Sequence, residues 1–363
     1  SGSFSTYADR SIGKWAGFTI GWLYWWFWVL VIPFEANAAA TIIHSWMPNA
    51  PIWIISFLIT IALTITNLFS VKNYGEFEFW LATIKVFSII IFIILGCAAI
   101  FGFSLNPSVG GVEHLYNNGG FLPNGWGAVL GALLTTMFSF MGSEIVTIAA
   151  SESKDPETQI TKATNSVIWR IGLFYLLSIF IVVSLIPWND PSLTKIGPYQ
   201  AILELIHIPH AKLIVDIIIL TAVTSCLNSA LYTASRMMFS LSKRGNAPSF
   251  IQKVNNQKIP VYAVLLSTVV AFICTFANYA APAKVFSFLL DTSGEIALLV
   301  YLVIAFSQLR MRKQLMMQNK TIRMKMWLYP YLTWGVIGFI ISALIIMAFD
   351  PKYINEIIST GSL

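Results

Sequence analysis

Three adjacent residues, Gly142, Ser143 and Glu144, interrupt a strongly apolar stretch of the sequence. Glycine lets the backbone leave helical geometry, and in a membrane such backbone is tolerated only where it faces protein or a water-filled cavity. Carbonyls freed at the end of a half-helix can accept hydrogen bonds from an ammonium group or bind a cation, and the N–H groups that follow suit a carboxylate. The triplet therefore predicts a binding cavity, with simple packing of Gly142 and Glu144 against a neighbouring helix as the alternative.

Other ionisable side chains lie within apolar runs, where they are costly and by default mark a transport pathway or a site. Glu35 follows Pro33, which permits a kink, and it is either a pathway residue or a residue hydrated near the outer interface. Lys85 lies far enough into its run to face the interior of a helix bundle, although a lysine near the inner end could also extend to the interface. Three more acidic residues lie in such runs, of which the first two are better explained by hydration: Asp216, Asp291 and Glu295.

The elements that carry these residues are predicted from composition and hydropathy. Of the 363 residues, 57% are hydrophobic and only 10% are charged, which is far from the balance of a soluble protein. Apolar runs of about 20 residues are long enough to cross a membrane core. Nine such runs cover residues 17–44, 51–70, 79–103, 127–150, 165–187, 212–241, 261–280, 284–309 and 327–349. The sequence therefore predicts an all-α, polytopic membrane helix bundle.

Basic residues are unevenly distributed between the segments that connect these runs. Most of the 22 lysines and arginines fall in alternate connections. The positive-inside rule places those connections in the cytoplasm, including the one that follows residues 236–248. The net charge of +6 therefore reflects topology and does not predict a nucleic-acid partner. One outer stretch spaces Glu204, His207 and His210 as metal ligands could be spaced, but Pro209 argues against a regular helix, and a solvated loop is the better interpretation.

A family resemblance is carried by long segments of the sequence rather than by one motif. Four of them are GKWAGFTIGWLYWWFWVLVIPFEANAAA within residues 1–40, NLFSVKNYGEFEFWLATIKV at 67–86, FSFMGSEIVTIAASESKDPE at 138–157 and SCLNSALYTASRMMFSLSKRGNAP at 225–248. The chain resembles the amino acid/polyamine/organocation superfamily of secondary transporters, and most closely its bacterial 4-aminobutyrate permeases. The resemblance implies two five-helix repeats inverted in the membrane plane, with substrate at the midplane between discontinuous helices.

The same resemblance implies that residues 1–363 form a single transmembrane transporter domain. The family fold has twelve helices, and the nine runs correspond to its third to eleventh helices. We therefore expect the chain to be a fragment of a longer protein, which lacks the first discontinuous helix and with it half of the binding site.

The resemblance also assigns roles to residues around the triplet. Phe138 matches an aromatic gate that closes over the substrate, Gly142 and Ser143 match the unwound turn that holds its amino group, and Glu144 matches the acidic position just inside that turn. The full set of expected substrate-binding residues is Phe138, Phe140, Gly142, Ser143, Glu144, Asn228 and Ser229.

A second group is expected to couple transport to protons. Lys85 matches a basic residue that occupies the place of a sodium ion in related transporters, and Ser225 lies on the span that would face it. An amine removed from water can take up and release a proton, which supports this role. Glu35 is grouped with them as a pathway residue. A third group is expected either near the cytoplasmic exit or as an ordinary anchor: Arg236, Lys243 and Arg244.

The sequence therefore predicts a secondary active transporter that imports a small zwitterionic amino acid, most simply 4-aminobutyrate, by proton symport and alternating access across a bacterial inner membrane. The alternatives are a permease for proline, alanine or an aromatic amino acid, and an inactive membrane fragment. The predicted partners are the amino acid, protons and the lipid bilayer, with no cofactor and no metal ion. No span carries the nucleophile and base of an enzyme or the charged rings of a channel.

Overall fold

The computed structural model describes residues 3–69, 71–104, 106, 109–145, 155–280, 282–319 and 326–349. Some helical positions in these ranges, Phe138 and Asp291 among them, are described by their backbone alone. The regular secondary structure of the described residues is helical throughout. Short turns and loops connect the helices.

The helices are numbered in chain order. A π-helical turn, Ile171–Leu176, joins α8 to α9, and a 3-10 turn, Ser249–Gln252, follows α12. The bounds are α1 Ser3–Ser11, α2 Lys14–Trp46, α3 Ile52–Phe69, α4 Val71–Ile100, α5 His114–Asn117, α6 Gly125–Gly131, α7 Leu133–Phe140, α8 Pro156–Arg170, α9 Leu177–Leu185, α10 Pro191–Lys195, α11 Pro198–Leu205, α12 Ala211–Lys243, α13 Val261–Ala280, α14 Pro282–Met317 and α15 Tyr331–Phe349.

The long helices coincide with the apolar runs of the sequence. Six segments of the described chain are long and apolar enough to cross a membrane: Lys14–Trp46, Glu78–Ile100, Thr158–Leu185, Ala211–Lys243, Gly294–Met317 and Tyr331–Phe349. Two shorter apolar helices, Ile52–Leu68 and Val261–Ile273, match two further runs. The predicted run at 127–150 contains the short helices α6 and α7 rather than one continuous span. The prediction of an all-α, polytopic membrane bundle is confirmed.

Contacts divide the chain into two compact units. The first unit comprises Ser1–Tyr74, Leu130–Thr161 and Leu227–Leu363. The second unit comprises Gly75–Val129 and Lys162–Cys226. The boundary therefore falls within four helices: near the start of α4, in α6, in α8 and in the middle of α12.

Helix α2 is the centre of the first unit. It is apolar all round and buries side chains along most of its length, as expected of a helix surrounded by others. Its glycines allow neighbours to approach closely. A Cβ atom on Gly17 would lie 2.5 Å from the Cβ of Asp9 in α1, and one on Gly21 would lie 2.6 Å from a terminal methyl of Leu241 in α12. Replacing either glycine would therefore force a neighbour to move.

The second unit has its own apolar core. Phe92 of α4, Ile181 of α9, Ile202 of α11 and Val215 of α12 are buried together in it. A Cβ atom on Gly96 would collide with the side chain of Ile181, which indicates how closely α4 and α9 pack. This core holds the second half of α4, which follows Lys85, against other elements of the same unit.

Candidate functional site

The predicted break in the fourth apolar run is present. Helix α7 ends at Phe140, and residues 141–144 form a turn. Gly142 has a φ of +108°, a conformation that a residue with a side chain rarely adopts. The N–H of Ile145 donates a hydrogen bond to the Gly142 carbonyl at 3.1 Å. Residues 146–154 lie outside the described chain, so a second half-helix that begins at Glu144 stays a prediction.

The Glu144 carboxylate is buried and accepts hydrogen bonds from three directions. The Tyr24 hydroxyl of α2 donates to Oε1 at 2.9 Å. The N–H of Gly142 lies 3.1 Å from Oε1 and 3.0 Å from Oε2. The Tyr301 hydroxyl of α14 donates to Oε2 at 3.3 Å. These donors satisfy a group whose burial would otherwise be costly.

Tyr301 connects the two sides of the break. Its hydroxyl also lies 3.1 Å from the carbonyl of Phe140, the last residue of α7. One hydroxyl hydrogen is thus shared between the helix end and the Glu144 carboxylate. Tyr24 is fully buried, and its ring packs edge-on against Phe4 and Trp28. The turn is therefore held by hydrogen bonds and by aromatic packing within the first unit.

Sequence reasoning identified Glu144 but missed both tyrosines. A tyrosine in an apolar run is more simply explained by packing, and Tyr24 and Tyr301 are 120 and 157 residues away from Glu144. The one signal that could have found them is the phenolic hydroxyl, which usually finds a partner when it is buried. No spacing rule in the sequence connects either hydroxyl to Glu144.

The remaining predicted substrate residues are placed as follows. Ser143 and Ser229 are half-buried, and the Phe138 side chain lies outside the described part of the structure. Asn228 of α12 is buried, and its Oδ1 accepts a hydrogen bond from Asn67 of α3 at 2.8 Å. Within the described chain, the Asn228 side-chain nitrogen has no hydrogen-bond partner. Its substrate role stays a prediction.

The second unit brings Lys85 and Ser225 together. The Lys85 ammonium group donates to the Ser225 hydroxyl at 2.6 Å. The Ser225 hydroxyl in turn donates to Oε1 of Glu78, which the sequence reasoning did not single out. Glu78 lies immediately before the predicted apolar run at 79–103, where a charge needs no special explanation. Glu35, the third predicted proton-coupling residue, lies in the first unit and is buried on α2.

The basic residues near the end of α12 make mainly local contacts. The Arg236 guanidinium lies 4.1 Å from the centroid of the Tyr232 ring, and Lys243 lies 4.5 Å from that of Phe239. Arg244 donates a hydrogen bond to the Ser5 hydroxyl of α1. Burial lowers the pKa of Arg244, and the Asp9 carboxylate partly offsets this effect. These contacts fit the anchor interpretation, and the exit role stays a prediction.

The histidine-containing stretch after α11 is a turn. His207 and His210 have φ values of 62° and 55°, which do not continue a helix. Among the residues that the structure describes, no group of three or more His, Cys, Asp or Glu side chains is arranged to hold a metal ion.

Comparison with known proteins gives the family. Residues 1–359 match the family model described as "Amino acid permease". The chain is 65% identical over 362 residues to "Gamma-aminobutyric acid permease" of Escherichia coli (strain K12), a match that covers 100% of this chain and 78% of that protein. It is 64% identical to "Probable GABA permease" of Pseudomonas aeruginosa, over 100% and 76% of the two chains. It is 50% identical to "Gamma-aminobutyric acid permease" of Bacillus subtilis (strain 168), over 99% and 77%.

These proteins are permeases, and their similarity to this chain extends over nearly its entire length. The described helices have the length and hydropathy of a multi-pass membrane protein. The chain therefore belongs to the amino acid permease family.

Proposed function

We propose that the protein imports 4-aminobutyrate across the bacterial inner membrane by proton symport and alternating access. Relatives that share about two thirds of their aligned residues with it are named for this substrate. The observation that carries the proposal is the buried Glu144 carboxylate, which is bound at the turn after α7 within the fourth predicted apolar run. The proposal treats residues 1–363 as part of one transporter domain with inverted five-helix repeats.

The break at Gly142 supports a zwitterionic substrate because it offers groups of the right polarity. The last turn of a helix has carbonyls without partners in that helix, and these can accept hydrogen bonds from a substrate ammonium group. The Glu144 oxygens already accept from Tyr24, Tyr301 and Gly142. Glu144 therefore acts in substrate binding by holding the turn in its non-helical shape and by adding negative potential beside the ammonium group.

The same hydrogen bonds support alternating access. The donors lie on α2, in the turn itself and on α14. A movement of any one of these elements therefore changes the hydrogen bonds that stabilise the turn. Each hydrogen bond contributes only about 0.5–3 kcal/mol net, because folding exchanges hydrogen bonds to water for hydrogen bonds within the protein. Hydrogen bonds of this strength can stabilise one conformation of the transporter and still allow the change to another.

Proton coupling is proposed for Lys85. Lys85 is half-buried, and its ammonium group donates a hydrogen bond to a neutral hydroxyl, that of Ser225. A positive charge at this position would repel a sodium ion, whereas a neutral amine can accept a proton. In this proposal, protonation and deprotonation of Lys85 alternate as the transporter cycles, and Ser225 orients the amine.

The test is uptake of labelled 4-aminobutyrate into vesicles under an imposed proton gradient, with the protein expressed from its complete gene. Unlabelled proline, alanine and phenylalanine serve as competitors. We expect gradient-driven uptake that unlabelled 4-aminobutyrate suppresses best, and strong losses in Lys85→Ala and Glu144→Gln. The matched controls are Lys212→Ala and Glu113→Gln, because both of these side chains are exposed.

Each part of the proposal has its own contrary result. Preferential suppression by another amino acid would overturn the substrate assignment and leave the family assignment intact. Uptake that requires sodium and survives Lys85→Ala unchanged would overturn the proton coupling. Equal losses in the exposed control variants would show that the assay reports general damage.

A further inference from the structure

The hydroxyl of Ser225 lies between an ammonium group and a carboxylate. It accepts a hydrogen bond from Lys85 at 2.6 Å and donates one to Oε1 of Glu78. Lys85 and Glu78 are both on α4, seven residues apart, which places them on one face about 10 Å apart along the axis. Ser225 belongs to α12 and is completely buried. Its hydroxyl therefore joins the two charged groups through two hydrogen bonds.

We propose that Glu78 carries the coupled proton between Lys85 and the cytoplasmic side, with the Ser225 hydroxyl as the bridge. This inference rests on the proposed function, in which Lys85 is the proton-responsive group. It adds a second proton carrier, which the family resemblance did not assign, and a route between the two.

The proton transfer balances without any further reactant. The Lys85 ammonium group gives a proton to the Ser225 oxygen, and the Ser225 hydroxyl proton moves to the Glu78 carboxylate. The N–H bond of the ammonium and the O–H bond of the serine break, while a new serine O–H bond and a carboxylic acid O–H bond form. An ammonium–carboxylate pair becomes an amine and a carboxylic acid, and the total charge is unchanged.

The position of Glu78 suits release to the cytoplasm. Glu78 begins the membrane-spanning part of α4, at the end that the positive-inside rule places in the cytoplasm. Its Oε2 atom is buried and has no hydrogen-bond partner in the described part of the chain. A buried carboxylate oxygen without a donor is costly, and this cost falls when the proton that Ser225 delivers to Oε1 neutralises the carboxylate. Glu78 as a whole is only half-buried, so a proton on it has a short path to water.

Other titratable groups on the two helices occupy different positions. On α4, the side chain of Glu76 is exposed; on α12, Cys226 is half-buried beside Ser225, and Asp216 lies nine residues away toward the opposite end of the helix. The hydrogen bonds that Lys85 and Ser225 make lead to Glu78. The direct route is therefore Lys85, Ser225 and Glu78.

The first test is Glu78→Gln. Glutamine keeps the size of the side chain and an oxygen for the Ser225 hydroxyl, but its amide does not take up the proton. We expect proton-driven accumulation of labelled 4-aminobutyrate to fall about a hundredfold, the lower end of what a positioned proton carrier contributes. Exchange of labelled for unlabelled substrate at equal pH should persist, because exchange needs no net proton release.

The bridge is tested with Ser225→Ala and Ser225→Thr. The alanine variant should lose accumulation in the same way as Glu78→Gln, whereas the threonine variant retains a hydroxyl and should recover a large part of it. Glu76→Gln is the matched control, because this carboxylate lies two residues away on the same helix and is exposed. Substrate-induced acidification, followed with a pH dye trapped in the vesicles, gives a direct readout of the proton.

The outcomes separate this inference from the proposed function. If wild-type accumulation responds to the proton gradient and Glu78→Gln accumulates equally well, the relay is wrong and the symport proposal stands. If Glu78→Gln loses exchange together with accumulation, Glu78 is a structural residue and the relay is again wrong. If wild-type accumulation ignores the proton gradient, the symport proposal fails and the relay fails with it.

Discussion

The Tyr24 hydroxyl makes the shorter of the two tyrosine hydrogen bonds to Glu144, at 2.9 Å against 3.3 Å for Tyr301. Tyr24→Phe removes this hydroxyl and keeps the ring in its packing with Phe4 and Trp28. A hydrogen bond to a charged group contributes about 1.5–3 kcal/mol, and the buried carboxylate cannot replace the lost donor with bulk water. We therefore expect Tyr24→Phe to destabilise the turn at residues 141–144 by about 1.5–3 kcal/mol.

The corresponding change at Tyr301 should cost less. Its hydroxyl is farther from Glu144 and is shared with the Phe140 carbonyl, so a loss of about 0.5–1.5 kcal/mol is expected, as for a neutral hydrogen bond. For Tyr24→Phe, about 1.5–3 kcal/mol corresponds to a shift of about 10- to 150-fold in the equilibrium that holds the turn. Tyr331→Phe is the control, because Tyr331 is 79% exposed and its change should stay within about 0.5 kcal/mol.

The assay compares thermal unfolding of the purified variants with the KM for 4-aminobutyrate uptake. Tyr24→Phe should lower the unfolding temperature and raise the KM more than Tyr301→Phe, and Tyr331→Phe should match the wild type. Because the two tyrosines share one carboxylate, the double variant should depart from additivity by about 0.5–3 kcal/mol. A Tyr24→Phe variant that behaves like Tyr331→Phe would refute the reasoning, as would strict additivity of the two tyrosine changes.

Three further predictions concern backbone conformation, close packing and a helix cap. Gly142→Ala should lower the free energy of unfolding by about 1–3 kcal/mol because of its φ of +108° alone, since the nearest side-chain atom is 3.7 Å from the new Cβ. Gly335→Ala, on an open helix face, should instead raise it by about 0.5–1 kcal/mol. Thermal unfolding that ranks the two variants the other way would contradict this. Gly21→Ala should lower the free energy of unfolding by about 1–3 kcal/mol because the Leu241 side chain must move. In a Leu241→Ala background the same substitution should cost less. An equal cost of Gly21→Ala in both backgrounds would count against the packing argument. Hydrogen bonds from Ser192, in the first turn of α10, lower the pKa of Asp190. The stabilisation by this cap is therefore fully present above the ordinary carboxylate pKa and is lost as the pH falls through the lowered pKa. Asp190→Ala should reduce the hydrogen-exchange protection of the α10 amides at neutral pH, and unchanged protection would argue against the cap.

The turn at Gly142 shows which features local sequence can predict. Gly142 beside a charge in an apolar run predicted a non-helical turn, and the structure has a turn there with a positive φ. This worked because both causes are local: a glycine tolerates that backbone, and a membrane penalises it unless the site is polar. The partners of the Glu144 carboxylate could not be predicted in the same way, because Tyr24 and Tyr301 are far away in the sequence.

The proton-coupling group shows the same division. Lys85 was identified because an amine deep in an apolar run is costly, and Ser225 because its span was expected to face Lys85. Glu78 was not predicted, because a carboxylate at the end of a span can remain hydrated and does not by itself indicate a site. Only the packing of α4 against α12 brings one serine hydroxyl to both charged groups.

The sequence by itself determined the class of protein, the positions of most spans and the point where one span breaks, because hydropathy, length and backbone conformation are properties of neighbouring residues. The tertiary structure decided which side chains meet at Glu144 and at Ser225, because a buried polar group takes its partner from whichever helix packs against it. That choice depends on the approach of segments more than a hundred residues apart, such as α2 to the turn at Gly142 and α4 to the middle of α12.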